Sequence, residues 1–110
     1  MTNRFNGIKI LSDVNVEPSV LIVSVHLSTG ETNTHTYDLP SKFGELQKAI
    51  DLLVGRIAKC MRGDRQGLAL EHPLIAYNRS HIVHIQVDFK GQKELQEMFD
   101  RVQKRKLGFV

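Results

Sequence analysis

"VLIVSVHLSTGETNTHTYDL", residues 20–39, is the stretch whose reading decides the fold. Its first half is rich in branched residues, with Leu21, Val23, Val25 and Leu27 alternating with Ile22, Ser24, His26 and Ser28. A period of two places each set on its own side of a strand, one side buried and one partly wet. Thr29 and Gly30 then read as a two-residue hairpin loop, since glycine adopts the positive φ that tight turns demand. The returning strand is 31–38. With that loop Ser28 faces Glu31, and counting outward sets Ser24 opposite His35, Val25 opposite Thr34, Val23 opposite Thr36 and His26 opposite Asn33. His26 and His35 then share the polar face as diagonal neighbours, about 7 to 8 Å apart.

Working outward, "GIKIL", residues 7–11, alternates in the same way and predicts a preceding strand, with a turn marked by Pro18 between the two. After the hairpin the period changes. From Ser41 to about Arg62, Phe43, Leu46, Ile50, Leu53, Val54, Ile57 and Met61 recur at steps of three and four, an amphipathic helix roughly 30 Å long. Pro40 and Ser41 suit its start, although Gly44 leaves no capping box, and Gly63 suits its end. Residues 68–89 predict a strand around Leu74 to Tyr77, a turn at Asn78 to Ser80 and a strand from His81 to Phe89. In that last strand Val83, Ile85, Val87 and Phe89 face one way, and Ile82, His84, Gln86 and Asp88 the other. A second helix is predicted from about Gln92 to Lys106, with Leu95, Met98, Phe99 and Val102 as its apolar stripe.

The order β-β-β-α-β-β-α lacks the strand and helix alternation of parallel crossovers, so the expected fold is α+β: one mostly antiparallel sheet with two amphipathic helices on one face. At 110 residues, 41% hydrophobic and 25% charged, the chain has the composition of one globular domain spanning 1–110. The single Cys60 forms no internal disulfide, and no long apolar run is present, which together predict a cytoplasmic protein with no membrane span. Cys60 sits near a helix C-terminus, where the dipole disfavours a thiolate, so it is a poor nucleophile. Fifteen Lys and Arg against twelve Asp and Glu give a net charge of +3, short of a strongly basic protein.

Three kinds of function are weighed. The chain holds five histidines, of which His26, His35 and His84 are metal-ligand candidates if their strands neighbour one another and their side chains share a face. Zinc also wants partners for the free ring nitrogens, a role that Asn33 or Asp88 suits. "SVHLS", residues 24–28, resembles one half of the signature of two-histidine phosphoesterases, in which a histidine precedes Ser or Thr by two residues. The other half would fall at His84, where Gln86 stands in the hydroxyl position. Without close Cys and His pairs, half-wet strand faces that accept His readily explain these residues better than a metal does, and no cofactor is expected. A second reading is nucleic-acid binding by Lys59, Arg62 and Arg65 in the 59–67 loop with Arg101, Lys104, Arg105 and Lys106 at the end of the second helix. Against it stand the absence of Trp, an aromatic content of 6% and the lack of a known DNA-binding motif. The third reading, and the expected one, is a small accessory or regulatory module that is not an enzyme and acts by protein interaction, with self-association into a homodimer hiding the open sheet's edges.

Overall fold

The predicted hairpin is present, one residue away from the expected register. In a computed structural model that describes residues 13–107, β1 (Val20–Leu27) pairs antiparallel with β2 (Thr32–Asp38), and Val23 faces His35, Ser24 faces Thr34 and His26 faces Thr32. The Leu27 N–H donates to the Glu31 carbonyl and the Gly30 N–H to the Leu27 carbonyl, each at 2.9 Å, with Gly30 at φ +92°. The loop therefore holds Ser28, Thr29 and Gly30, a turn followed by a left-handed residue, which is a common three-residue connection. One added loop residue exchanges the faces of the returning strand. Thr34 and Thr36 stay exposed, His35 is fully buried and Tyr37 is half-buried.

β1 is the centre of a three-stranded sheet of order β2-β1-β5, in which β5 (Ile82–Lys90) pairs antiparallel with it. Val23 faces Val87, Leu21 faces Phe89 and His26 faces His84. Beyond His26 the register shifts, so that Leu27 faces Ile82 and Val83 is the extra residue of a bulge. The face expected for the start of this strand is corrected accordingly: Ile82 turns into the core at 5% exposure and Val83 turns out at 62%.

Between β2 and β5 the chain forms α1 (Phe43–Met61) and a separate ribbon of β3 (Gly67–Leu70) and β4 (Ile75–Asn78), antiparallel with Leu70 facing Ile75. The expectation of one sheet is corrected to a three-stranded sheet plus this ribbon. The periodicity does not predict β3, and the expected turn at 78–80 is a single 3-10 turn, Arg79–His81, in which the Ser80 N–H donates to the Asn78 side chain. The strand expected over 7–11 lies outside the described residues.

α1 buries Leu46, Ile50, Leu53, Val54 and Ile57, as the spacing predicts. No side chain caps its start. The chain around residue 15 runs antiparallel to it instead, and the Phe43 N–H donates to the Val14 carbonyl at 2.9 Å. At its end the Gly63 N–H returns to the Cys60 carbonyl and the Asp64 N–H to the Lys59 carbonyl, with Gly63 at φ +87°, a Schellman closure.

α2 (Lys93–Leu107) lies against α1 and β5, with the Phe99 ring stacked on Phe89 at 5.8 Å. Leu21, Val23 and Val25 of β1, the stripe of α1, Leu95, Met98 and Phe99 of α2, and Leu68, Leu70 and Tyr77 of the ribbon make one continuous core. The fold is α+β, with every strand pair antiparallel. No helix among the described residues is long and apolar enough to cross a membrane.

Two glycines test the backbone logic with opposite signs. A methyl group on either Gly55 or Gly63 would meet nothing within 4 Å, so space does not decide. Gly55 is inside α1, and Gly55→Ala is expected to stabilise the domain by roughly 0.5–1 kcal/mol. Gly63 closes the helix at positive φ, and Gly63→Ala is expected to destabilise it by about 1 kcal/mol. Chemical denaturation of the two variants beside the parent checks both signs.

Candidate functional site

The three metal-candidate histidines divide between the two faces of the sheet. His26 and His84 stand opposite each other on β1 and β5, their rings stacked with centroids 4.1 Å apart. His26 Nδ1 is 2.9 Å from the Thr32 hydroxyl of the facing residue on β2. His35 is on the other face, in the core, so the expectation that His26 and His35 share the polar side is overturned by the three-residue loop. His72 and His81 lie on the ribbon turn and the 3-10 turn. Among the described residues no group of three His, Cys, Asp or Glu side chains is placed to hold a metal. Two stacked imidazoles leave most of a zinc shell unfilled. Gln86, in the position where the phosphoesterase pattern needs a hydroxyl, gives its amide to Asp88 at 3.2 Å.

His35 is instead the centre of a polar cluster that fastens the ribbon to the sheet. Its Nδ1 lies 2.9 Å from the Glu71 carbonyl, so Nδ1 carries the proton and donates, and Nε2 is left to accept from the Tyr77 hydroxyl at 2.5 Å. Both ring nitrogens are thus satisfied in the core, which is the condition for keeping an imidazole there without a large desolvation cost. Burial raises the Tyr77 pKa, against a smaller lowering effect from the Asn33 side chain.

A second half of the cluster reaches the surface. The Tyr37 hydroxyl donates to Glu71 Oε1 at 3.0 Å and accepts the Glu71 N–H at 2.8 Å. Arg56 of α1 grips both Glu71 oxygens, at 3.0 and 3.3 Å, and the Ala69 carbonyl at 3.3 Å. The Arg56 hydrogen bonds are the main cause holding the Glu71 carboxyl down at about 2. Arg56, Tyr37 and Glu71 carry no local signal in the sequence, because they come from separate parts of the chain. Cys60 is fully buried, and burial pushes its thiol up, in keeping with a core role.

The basic residues fall in two groups. Lys59 and Arg65 line a cleft of about 400 Å³ with Asp51, Leu52, Gly55 and Arg56. Arg62 is not part of that lining; it is exposed and pairs with Asp64 at 3.3 Å. Arg101 is exposed on α2, whereas the side chains of Lys104, Arg105 and Lys106 lie outside the described residues. Next to the basic cleft is an apolar groove of about 370 Å³ lined by Tyr37, Leu39, Ala49, Leu52 and Leu53, with Leu52 itself 72% exposed.

The hydrogen-bond phase of β1 settles which backbone groups of the sheet are free. Because Leu27 and Glu31 form a hydrogen-bonded pair, the odd-numbered residues of β1 bond to β2 and the even-numbered ones to β5. His84, Gln86, Asp88 and Lys90 therefore direct their backbone groups toward β1, and those of Ile85, Val87 and Phe89 point to the outside. On β2 the same phase turns Thr36 outward, and its N–H meets the His72 carbonyl of the ribbon turn at 3.2 Å. The ribbon turn thus meets this edge at Thr36. Among the described residues no strand lies along the other, that of β5.

No family model, curated protein or solved structure matches the chain.

The Glu71 cluster carries a pH signature. A carboxyl held at about 2 in the fold, against an ordinary value of 4.5, contributes stability that is complete above about pH 4.5 and is lost as the pH falls toward 2. With both partners more than two-fifths exposed, at 44% and 42%, solvent screening limits that contribution to about 1 kcal/mol. Thermal melts of the parent and Glu71→Gln between about pH 7 and pH 2 are expected to differ by this amount at neutral pH and to converge at the acid end.

Proposed function

We propose that this domain is a non-enzymatic accessory or regulatory module of the cytoplasm that acts by protein interaction, and that its first partner is a second copy of itself. The observation that carries this reading is the β5 edge. Nine residues long, it directs the backbone groups of Ile85, Val87 and Phe89 away from β1, with no neighbouring strand among the described residues. Sheet proteins ordinarily cover or blunt such an edge, and pairing with another strand is the arrangement that satisfies it best. The histidines do not favour catalysis: His35 is consumed in holding the ribbon, and His26 and His84 stack on each other beside the Thr32 hydroxyl.

Nucleic-acid binding is the second reading, supported by Lys59 and Arg65 sharing one cleft. It ranks lower because Asp51 sits in the same cleft and Arg56 is committed to Glu71. Specific phosphate recognition would want those cations unpaired.

Solution mass tests the first reading. Light scattering from about 10 µM to about 1 mM protein is expected to show the weight-average mass rising from 12.5 kDa toward twice that value, as for a modest edge-to-edge interface. A mass that stays at 12.5 kDa throughout contradicts it.

A further inference from the structure

Resting on the reading of the domain as self-associating, we propose that two copies join antiparallel along β5 with the two-fold axis at Gln86, setting His84 of each copy against Asp88 of the other. The phase of the strand narrows the choices. Since Ile85, Val87 and Phe89 carry the outward backbone groups, odd residues must face odd residues across the new junction, and even ones even. Four two-fold registers then fit the strand, centred on residues 85, 86, 87 and 88.

The exposed side chains of the polar face choose among them. Centring on residue 88 sets Asp88 against Asp88, like charge on like charge, which is unfavourable for directly opposed strand residues. Centring on residue 87 sets His84 against Lys90 and leaves Asp88 facing an amide. Centring on residue 85 sets the buried Ile82 against Asp88. Centring on residue 86 sets Lys90 against the buried Ile82, but it alone gives two imidazole and carboxylate pairs, one at each end of a Gln86 pair. Within one chain Asp88 has the Gln86 amide, at 3.2 Å, and no cation within ion-pair distance among the described residues. His84 in turn stacks on His26, which contacts Thr32. The dimer would extend this row across the sheet as Thr32, His26, His84 and Asp88 of the second copy, so that an imidazole N–H donates to the carboxylate at its end.

The arrangement keeps the two Phe89–Phe99 contacts apart. α2 contacts β5 through Phe99 on Phe89, near the end of the strand. In this register Phe89 faces residue 83 of the other copy, so the two stacked rings lie six residues apart along the junction, about 20 Å at strand rise.

Cysteine cross-linking reads the register directly. Gln86 is exposed, and at the axis it forms a non-hydrogen-bonded pair with itself, whose Cα atoms lie about 4.5 Å apart, within the range a disulfide spans. Two Asp88 residues would instead be about 14 Å apart, as would two His84 residues. The native Cys60 is fully buried and does not compete. Under mild oxidation Gln86→Cys is expected to give at least about tenfold more covalent dimer than Asp88→Cys or His84→Cys. As a second arm, Asp88→Lys is expected to lower the dimer fraction, and the exchange His84→Asp with Asp88→Lys to restore it. If the parent dimerises but cross-links no better through residue 86, or the exchange fails to restore the dimer, the register is overturned and self-association stands. If the parent stays monomeric at every concentration, both are overturned.

Discussion

One loop residue governs the architecture. Strand side chains alternate with a strict period of two, so closing the first hairpin with three residues rather than two decides which half of β2 meets the core. Gly30 makes the three-residue closure possible by standing at φ +92°, a conformation that side-chain-bearing residues reach only at a cost. With the loop closed there, Val23 and His35 share the inner face, and Ser24 and Thr34 the outer. Every later contact of β2 inherits that choice.

The principal consequence is that an imidazole lies in the core, where an apolar side chain would be the simpler occupant. Its presence follows from what it reaches. The β3–β4 ribbon forms no strand ladder with the main sheet, and its attachment combines apolar contacts from Leu68, Leu70 and Tyr77 with the polar bonds of His35 and Tyr37. Each such bond adds only about 1 kcal/mol, but an unsatisfied buried partner costs about 1–3 kcal/mol. Alternative placements of the ribbon, which would strand the His35 and Tyr77 polar atoms, are thereby disfavoured. Arg56 extends the same fastening to α1 through Glu71. The cluster that first suggests a reactive site is therefore an architectural joint, and among the described residues the β5 edge is the one with no strand or ribbon turn bonded along it.

Much of this was legible in the sequence. The period of 3.6 from Phe43 to Met61 located α1 and its buried stripe, Gly63 located its end, and the alternation around Val20 located the central strand. What misled was the hairpin loop, because "STGE" admits both a two- and a three-residue closure. A signal was present in "THTYD": Tyr37 is the one large aromatic residue of β2, and placing it inward already requires His35 beside it and Thr34 and Thr36 outside. β3 is not legible because "GLAL" is too short to show a period, and the bulge at Val83 is not because an extra residue leaves no mark in composition. The long-range pairs, Arg56 with Glu71 and His35 with Tyr77, join residues 15 and 42 positions apart, and no local pattern encodes them.

The register of the first hairpin is the claim on which the core, the joint and the phase of the β5 edge all rest. Close Hα–Hα contacts occur only between non-hydrogen-bonded partners of an antiparallel pair, so nuclear Overhauser spectroscopy of the labelled protein reads the register without ambiguity. The three-residue loop predicts Hα–Hα cross-peaks between Ser24 and Thr34, His26 and Thr32, and Ile22 and Thr36. Cross-peaks between Val25 and Thr34 and between Val23 and Thr36 would instead mean a two-residue loop, with His35 on the wet face, and would contradict the account.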